Sequence, residues 1–360
     1  MLRYTIPSLK YGTHGCEFTG SLKLIVMRNQ NVIQYSITID TEEEWDWDAG
    51  WPVRDHSLNN ISVTPEFQKL IRKHGARSTW FTNWSVLENA KTRDIMLRVA
   101  EDESVELGMH IHPWLTPPLK MDGKAGGSRE SYLENLDKQS IHAKLDAVWD
   151  TFDSNGLSPV SFRGGRYSSG ADVQKFLRQK GFIADASVVP YTDWEDDGSP
   201  DYSHRRIFPE RTPPVEPNEK ALWEVPVTLG YTRPNFTRWS KVLRTFSKSP
   251  LRHLRCVGIF ERTGVVKRVW LNFEDTNAQD MLQLIDVLVK LEVPCICFTV
   301  HSSSLYVGGN PYSKTAEDVK RIWDTANTVL ENVARRPDFE PAKIAEIAQT
   351  LEAQHESNRD

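Results

Sequence analysis

Three short runs hold the residue types that hydrolysis at a metal centre uses. Asp40 and Glu42 stand two apart in Ile39-Asp-Thr-Glu-Glu-Glu44, directly after the apolar run Tyr35-Ser-Ile-Thr-Ile39. Extended backbone points side chains two apart to the same side, so the pair can share one site, one carboxylate ligating a cation and the other taking a proton from water. An acidic surface turn is the plain alternative. His110 and His112 repeat the spacing after Val105-Glu-Leu-Gly-Met109. Two neutral imidazoles and a carboxylate make an open site for a divalent metal, zinc first among them. His301 ends Cys295-Ile-Cys-Phe-Thr-Val300, a position from which an imidazole can protonate a departing nitrogen.

A second set would support these groups. Arg163 follows Pro159-Val-Ser-Phe162 and opens the glycine-rich stretch Arg163-Gly-Gly-Arg-Tyr-Ser-Ser-Gly170. Backbone N–H groups there, near Arg166 and Tyr167, can hold developing negative charge. The stretch lacks the Gly-Lys-Ser/Thr ending of a phosphate loop. Arg163 is expected to pair with Asp40 or with Asp185, which follows Phe182-Ile-Ala184. Trp45, Trp47 and Trp51 come just after the acidic run and Trp114 just after the histidines. Their rings can stack on a sugar or fill a core.

All these groups lie at the carboxyl ends of strand-like runs, where barrel enzymes carry their chemistry. Such runs are read over 32–40, 77–82, 105–112, 160–163, 183–186, 222–228, 265–273 and 295–301. Between them, helical spacing of apolar residues appears over 65–74, 92–100, 132–152, 171–180 and 280–291. Alternation of this kind predicts an α/β chain, a distorted barrel of seven or eight βα units in one domain. Thr64 is placed to cap a helix with Pro65 and Glu66 in its first turn, and Thr315-x-x-Asp318 reads as a capping box opening a helix to about Val333. The expected division is an N-terminal extension over 1–31, the barrel over 32–335 and a C-terminal helical tail over 336–360. Two long irregular stretches, 115–129 and 192–220, are substrate walls, a lid, or plain surface insertions.

Composition narrows the partners. A net charge of -5 over 360 residues, with no extended basic face, gives nucleic acid no electrostatic footing. The basic stretch 238–255 reads as an amphipathic helix against a membrane surface or an anionic ligand, or as a solvated helix face. No apolar run approaches the roughly 18 residues that cross a bilayer, and 22–27 is too short and wrongly flanked for a signal peptide. A cytoplasmic location is expected. Cys295 and Cys297 read as reduced core thiols on one strand face, with a Cys-x-Cys metal site as the other option, while Cys16 and Cys256 are isolated in sequence.

In order along the chain, these runs resemble the five motifs of the polysaccharide deacetylases, carbohydrate esterase family four, whose shared unit is the NodB-homology domain. Thr38-Ile-Asp-Thr-Glu42 is similar to the first motif, Gly108-Met-His-Ile-His-Pro113 to the second, Phe162-Arg-Gly-Gly-Arg-Tyr167 to the third, Phe182-Ile-Ala-Asp-Ala-Ser-Val188 to the fourth and Thr299-Val-His-Ser-Ser-Ser-Leu305 to the fifth. The resemblance spans roughly 34–333. It implies a distorted (β/α) barrel that removes acetyl groups from an N-acetylated sugar or polysaccharide precursor with metal-activated water. Asp40 then matches the catalytic base, Arg163 the residue orienting it, His110 and His112 the metal ligands, and His301 the general acid. Thr41 stands where the family has a metal-binding aspartate, so Glu42 becomes the expected third ligand. The histidines are closer together than the family's pair, and the third motif lacks its prolines. Some branches of the family hydrolyse small cyclic amides or imides without a metal. A catalytically silent glycan-binding module is the remaining alternative.

Overall fold

The computed structural model describes residues 32–53, 56–119, 127–194, 198, 200–217, 219–248, 258, 260 and 262–359. The expected extension over 1–31, Cys16, Cys256, residues 249–255 of the basic stretch and parts of both long loops lie outside them. Chain order alternates strand and helix through β1 (Ile33–Thr41), α1 (Thr64–Lys73), β2 (Ser78–Thr82), α2 (Trp84–Glu88), α3 (Ala90–Ala100), β3 (Val105–Ile111), α4 (Lys138–Ser154), β4 (Ser161–Gly164), α5 (Ala171–Gln179) and β5 (Ala184–Asp185). There follow β6 (Glu210–Thr212), β7 (Leu222–Glu224), β8 (Leu229–Tyr231), α6 (Phe236–Lys248), β9 (Arg268–Trp270), α7 (Ala278–Lys290), β10 (Cys295–His301), α8 (Ala316–Ala334), β11 (Phe339–Pro341) and α9 (Ile344–Ser357).

The sheet runs β10-β1-β2-β3-β4-β5-β7 with every neighbour parallel, then β6 antiparallel at the edge; β11 pairs with the start of β1. All nine residues of β1 are buried, as a central strand covered on both faces requires. The expected strands 222–228 and 265–273 are regular only over β7 and β9, and β9 pairs antiparallel with β8. Pro226 explains part of the break, because it has no N–H to give a ladder. Backbone bonds carry the curl onward through these irregular segments: Val227 N–H to Val188 O at 3.0 Å, Leu271 N–H to Thr228 O at 2.8 Å, and Phe273 N–H to Thr299 O at 3.1 Å. The distortion of the barrel lies there.

Period-two alternation sorts β10 into two layers. Ile296, Phe298 and Val300 join Ile37 and Ile39 of β1 in a cluster with Phe67 of α1, Leu284 and Leu288 of α7 and Val329 of α8. Cys295 and Cys297 instead join Ala184, Ala186 and the α9 residues Ile344, Ile347 and Ala348. Each fully buried apolar side chain of this size stabilises by roughly 1.5–3 kcal/mol. At the amino ends of the strands, the backbone N–H of Ile344 donates to Thr79 Oγ1 and that of Ala345 to Glu106 Oε2, so α9 caps the end of the barrel away from the strand tips that matter chemically.

Local expectations divide. Thr315 and Asp318 form the capping box of α8. Thr64, by contrast, is the first residue inside α1, and its hydroxyl donates to the Ile61 carbonyl of a preceding 3-10 turn, so it caps nothing. Helix α4 starts six residues later than its apolar spacing suggests, because Asp137 accepts from the N–H of Ser140 and sets the start there. Both described thiols, Cys295 and Cys297, are free and buried. Burial pushes their pKa values up, that of Cys297 to about 12, and they take no part in the group that could hold a metal. Among the described residues, no helix is long and apolar enough to cross a membrane.

Candidate active site

Strand register assembles the site. Parallel pairing sets Asp40 beside His301 across β1 and β10, and His110 beside Arg163 across β3 and β4. Asp40 Oδ1 accepts from Arg163 Nη1 at 2.7 Å, while the same guanidinium donates to Thr38 Oγ1 at 3.0 Å and to the Ala186 carbonyl at 3.1 Å. Of the two partners expected for Arg163, Asp40 is the one it takes. Asp185 accepts instead from the hydroxyls of Ser169 and Ser187 and from the Ser187 N–H. Burial pushes the Asp185 carboxyl up to about 6 against those donors. For Asp40, burial also acts upward, but the charges of Arg163, His110 and His301 outweigh it and hold the carboxyl below its usual range. Asp40 therefore stays ionised, with Oδ2 3.9 Å from His301 Nε2.

Glu42, His110 and His112 meet at one point. Glu42 Oε2 lies 3.1 Å from His112 Nε2 and 3.8 Å from His110 Nε2, and the two nitrogens are 3.2 Å apart. Donors about 2.1 Å from one tetrahedral cation stand about 3.4 Å from each other, so the spacing suits an ion. The far side of each ring fixes its tautomer. His110 Nδ1–H donates to the Arg163 carbonyl at 2.8 Å, an atom that only accepts, which turns Nε2 toward Glu42 and His112. His112 Nδ1 donates to the Glu43 carboxylate. Nε2 of both rings and Glu42 Oε2 thus face one another at a buried spot, an arrangement that a divalent cation or a shared proton would stabilise. Burial disfavours charge on His112, yet Glu43 and Glu42 push it up to about 10. Burial likewise works against the Glu42 charge, and His301, His110 and His112 more than offset it, so that carboxyl is held low.

His301 is held as tightly. Its Nδ1–H donates to Glu274 at 2.8 Å, its backbone N–H reaches the same oxygen at 3.0 Å, Ser304 donates there too, and Asn272 holds the other oxygen at 2.9 Å. Burial lowers the imidazole pKa, but the Glu274 charge, then Glu42 and Asp40, push it up to about 10. A proton on Nε2, turned toward Asp40, follows.

Two carboxylates were missed in the sequence. Glu43 accepts from Asn83 at 2.9 Å and Ser85 at 2.8 Å besides His112, and Glu274 anchors His301. Glu43 was hidden because strict alternation points it away from Glu42, but β1 ends at Thr41, and Glu42 and Glu43 then meet opposite nitrogens of His112 while Glu44 turns to Ser57. Glu44, the third, accepts from Ser57 Oγ at 2.5 Å and from the Asn60 N–H. For Glu274 a signal existed: it ends the apolar run 265–273 as the other site residues end theirs.

The aromatic residues surround the centre. Trp114 stacks on His112 at 4.2 Å, and Trp47 packs edge-on against His301 at 5.4 Å. Arg166 and Tyr167 both take left-handed backbone, φ 51° and 59°. The Arg166 guanidinium lies over the rings of Tyr132 and Trp51 at 3.8 and 4.4 Å, and the Arg163 guanidinium is 5.9 Å from the Tyr167 ring.

No family model matches the sequence, and no curated protein matches it. Solved structures do. A Mycobacterium smegmatis protein assigned as a polysaccharide deacetylase superposes at TM-score 0.55 with 12% identity, covering 91% of this chain and 93% of that one. The PuuE allantoinase gives 0.51 with 14% identity over 91% and 93%. A Parabacteroides distasonis protein assigned as a glycoside hydrolase/deacetylase gives 0.51 with 12% identity over 90% and 71%. The distorted barrel is thus shared with proteins of the polysaccharide deacetylase type.

Proposed function

We propose that this chain is a metal-dependent hydrolase of carbon–nitrogen bonds that removes the acetyl group from an N-acetylated sugar. One observation carries the reading: the Asp40 carboxylate, the His301 imidazole and a Glu–His–His donor set converge from separate strand ends. A divalent cation held by Glu42, His110 and His112, zinc first on this donor set, supplies Lewis acidity toward the acyl oxygen and toward water. Asp40, its Oδ1 anchored by Arg163, takes the proton of the attacking water through Oδ2. The strained Arg166–Tyr167 turn offers backbone N–H groups to the developing oxyanion. His301 gives its Nε2 proton to the leaving nitrogen as the carbon–nitrogen bond breaks, releasing acetate and a free amine. A cytoplasmic setting suits the two buried free thiols.

The test is acetate release from a panel of N-acetylated saccharides by the zinc-supplied protein, with elemental analysis beside it. Asp40→Asn should lower turnover by at least about 10²-fold, the usual scale for a lost general base, with the fold retained. Full activity in that variant sinks the base assignment. Chelator-insensitive hydrolysis of a cyclic amide by metal-poor protein points instead to the metal-free alternative.

A further inference from the structure

The two candidate ligand histidines are backed differently. His112 Nδ1 meets the Glu43 carboxylate, whereas His110 Nδ1–H donates to the Arg163 carbonyl at 2.8 Å. That carbonyl belongs to the peptide unit joining Arg163 to Gly164, whose N–H, on the opposite side, donates to Ser187 Oγ at 2.9 Å. Ser187 Oγ in turn donates to Asp185 Oδ1 at 2.5 Å, and the same carboxylate oxygen accepts from the Ser187 N–H at 3.0 Å. Ser169 Oγ holds the other carboxylate oxygen at 2.5 Å. A continuous path thus runs from Asp185 through one hydroxyl and one peptide to the ring of His110, and every member of it is buried.

Neighbouring contacts keep that peptide from turning. The Ala186 N–H donates to the Phe162 carbonyl at 2.8 Å, and Arg163 Nε donates to the Ala186 carbonyl at 3.1 Å, so the segment after β5 grips the end of β4 on both sides of the peptide. A Cβ on Gly164 would collide with the Ser168 carbonyl, and one on Gly165 with the Ile111 carbonyl and the His112 ring. The backbone there has no slack. Hydrogen bonds in a chain polarise one another, so donation by the N–H of a peptide makes its carbonyl a stronger acceptor. What a ligating histidine meets at its far nitrogen fixes the ring and raises its basicity. Resting on the hydrolase reading above, we infer that Asp185 and Ser187 are positioning residues for the metal centre, acting on His110 through the Arg163–Gly164 peptide as Glu43 acts on His112 directly. Neither belongs to the donor set itself.

The full chain and its Ser187→Ala, Asp185→Asn and Ser169→Ala variants decide the point at roughly pH 8, where the Asp185 carboxyl, pushed up to about 6 by burial, is ionised. Zinc affinity is read by competition with a chromophoric chelator, and the His110 Nδ1–H proton is followed by NMR in metal-free protein; neither readout needs turnover. Ser187→Ala is expected to weaken zinc binding about three- to tenfold, less than the roughly 10–100-fold for a partner in direct contact, and to move the proton upfield as its acceptor weakens. A loss under about threefold, or an unmoved proton, overturns the inference. If Ser187→Ala does not fold, Asp185→Asn, which keeps the shape and removes the charge, is read by the same criteria. Ser169→Ala removes a bond to Asp185 but lies off the path, and an equal loss there assigns the effect to loop packing and overturns the inference. Wild-type protein that binds no zinc counts against the metal-dependent hydrolase, and the His110 proton then decides the path by itself.

Discussion

At the residue scale, the chemistry depends on carboxylates that touch no substrate. Glu43 holds His112 and Glu274 holds His301, each from a fully buried position with further donors of its own. Removing such an orienting partner typically weakens a metal site 10–100-fold. Glu43→Gln is therefore expected to lower zinc affinity by about that factor in competition with a chromophoric chelator; a change under about twofold would remove Glu43 from this role. Glu274 acts through charge. It raises the His301 pKa, so the protonated acid survives to about pH 10, and activity should fall only as pH rises past that value. In Glu274→Gln the raising charge is gone while burial still disfavours the imidazolium, so the alkaline limb of kcat moves to lower pH by at least about one unit. A limb that stays in place would mean that His301 is not the group being titrated.

At the element scale, local signals and tertiary demands part company. Helix α8 begins where Thr315 and Asp318 say it should, since a capping box satisfies end donors without help from elsewhere. Thr315→Ala is expected to lower stability by about 1 kcal/mol, read from denaturant midpoints, with acetate release unchanged. Helix α1 shows the opposite case, its threonine hydroxyl diverted to the Ile61 carbonyl. Each of the eight expected runs contains a strand, although 222–228 and 265–273 shrink to three residues each, and Asp40, His110, Arg163, Asp185 and His301 lie within the last residues of theirs. Where regularity fails, over 225–228 and 271–273, backbone bonds to neighbours persist while the ladder does not. Those irregular segments let Asn272 and Glu274 turn in toward His301, a position that regular pairing patterns do not reveal.

At the scale of the whole molecule, one helix closes the barrel from below. Ile347 of α9 is fully buried among Cys297, Val225 and Ala184. Ile347→Ala leaves a cavity there and is expected to cost about 2–5 kcal/mol. A loss below about 0.5 kcal/mol in urea unfolding would show that α9 is dispensable to the barrel. The same architecture separates stability from chemistry, with the plug at the amino ends and the reactive groups at the carboxyl ends, as barrels generally arrange it.

Sequence alone was enough for the βα alternation, the strand-end placement of Asp40, Glu42, His110, His112, Arg163 and His301, and the expectation of a barrel. These follow from period-two and period-3.6 patterns, which are local and survive in a single chain. Only the tertiary structure decided that Arg163 pairs with Asp40 and leaves Asp185 to its serines, that Glu43 and Glu274 stand behind the histidines, and that Trp45, Trp47 and Trp51 pack together with Trp114. Those outcomes depend on strand register and loop closure between distant residues, 123 positions apart for Arg163 and Asp40, and no local pattern encodes which distant partner a buried charge will find.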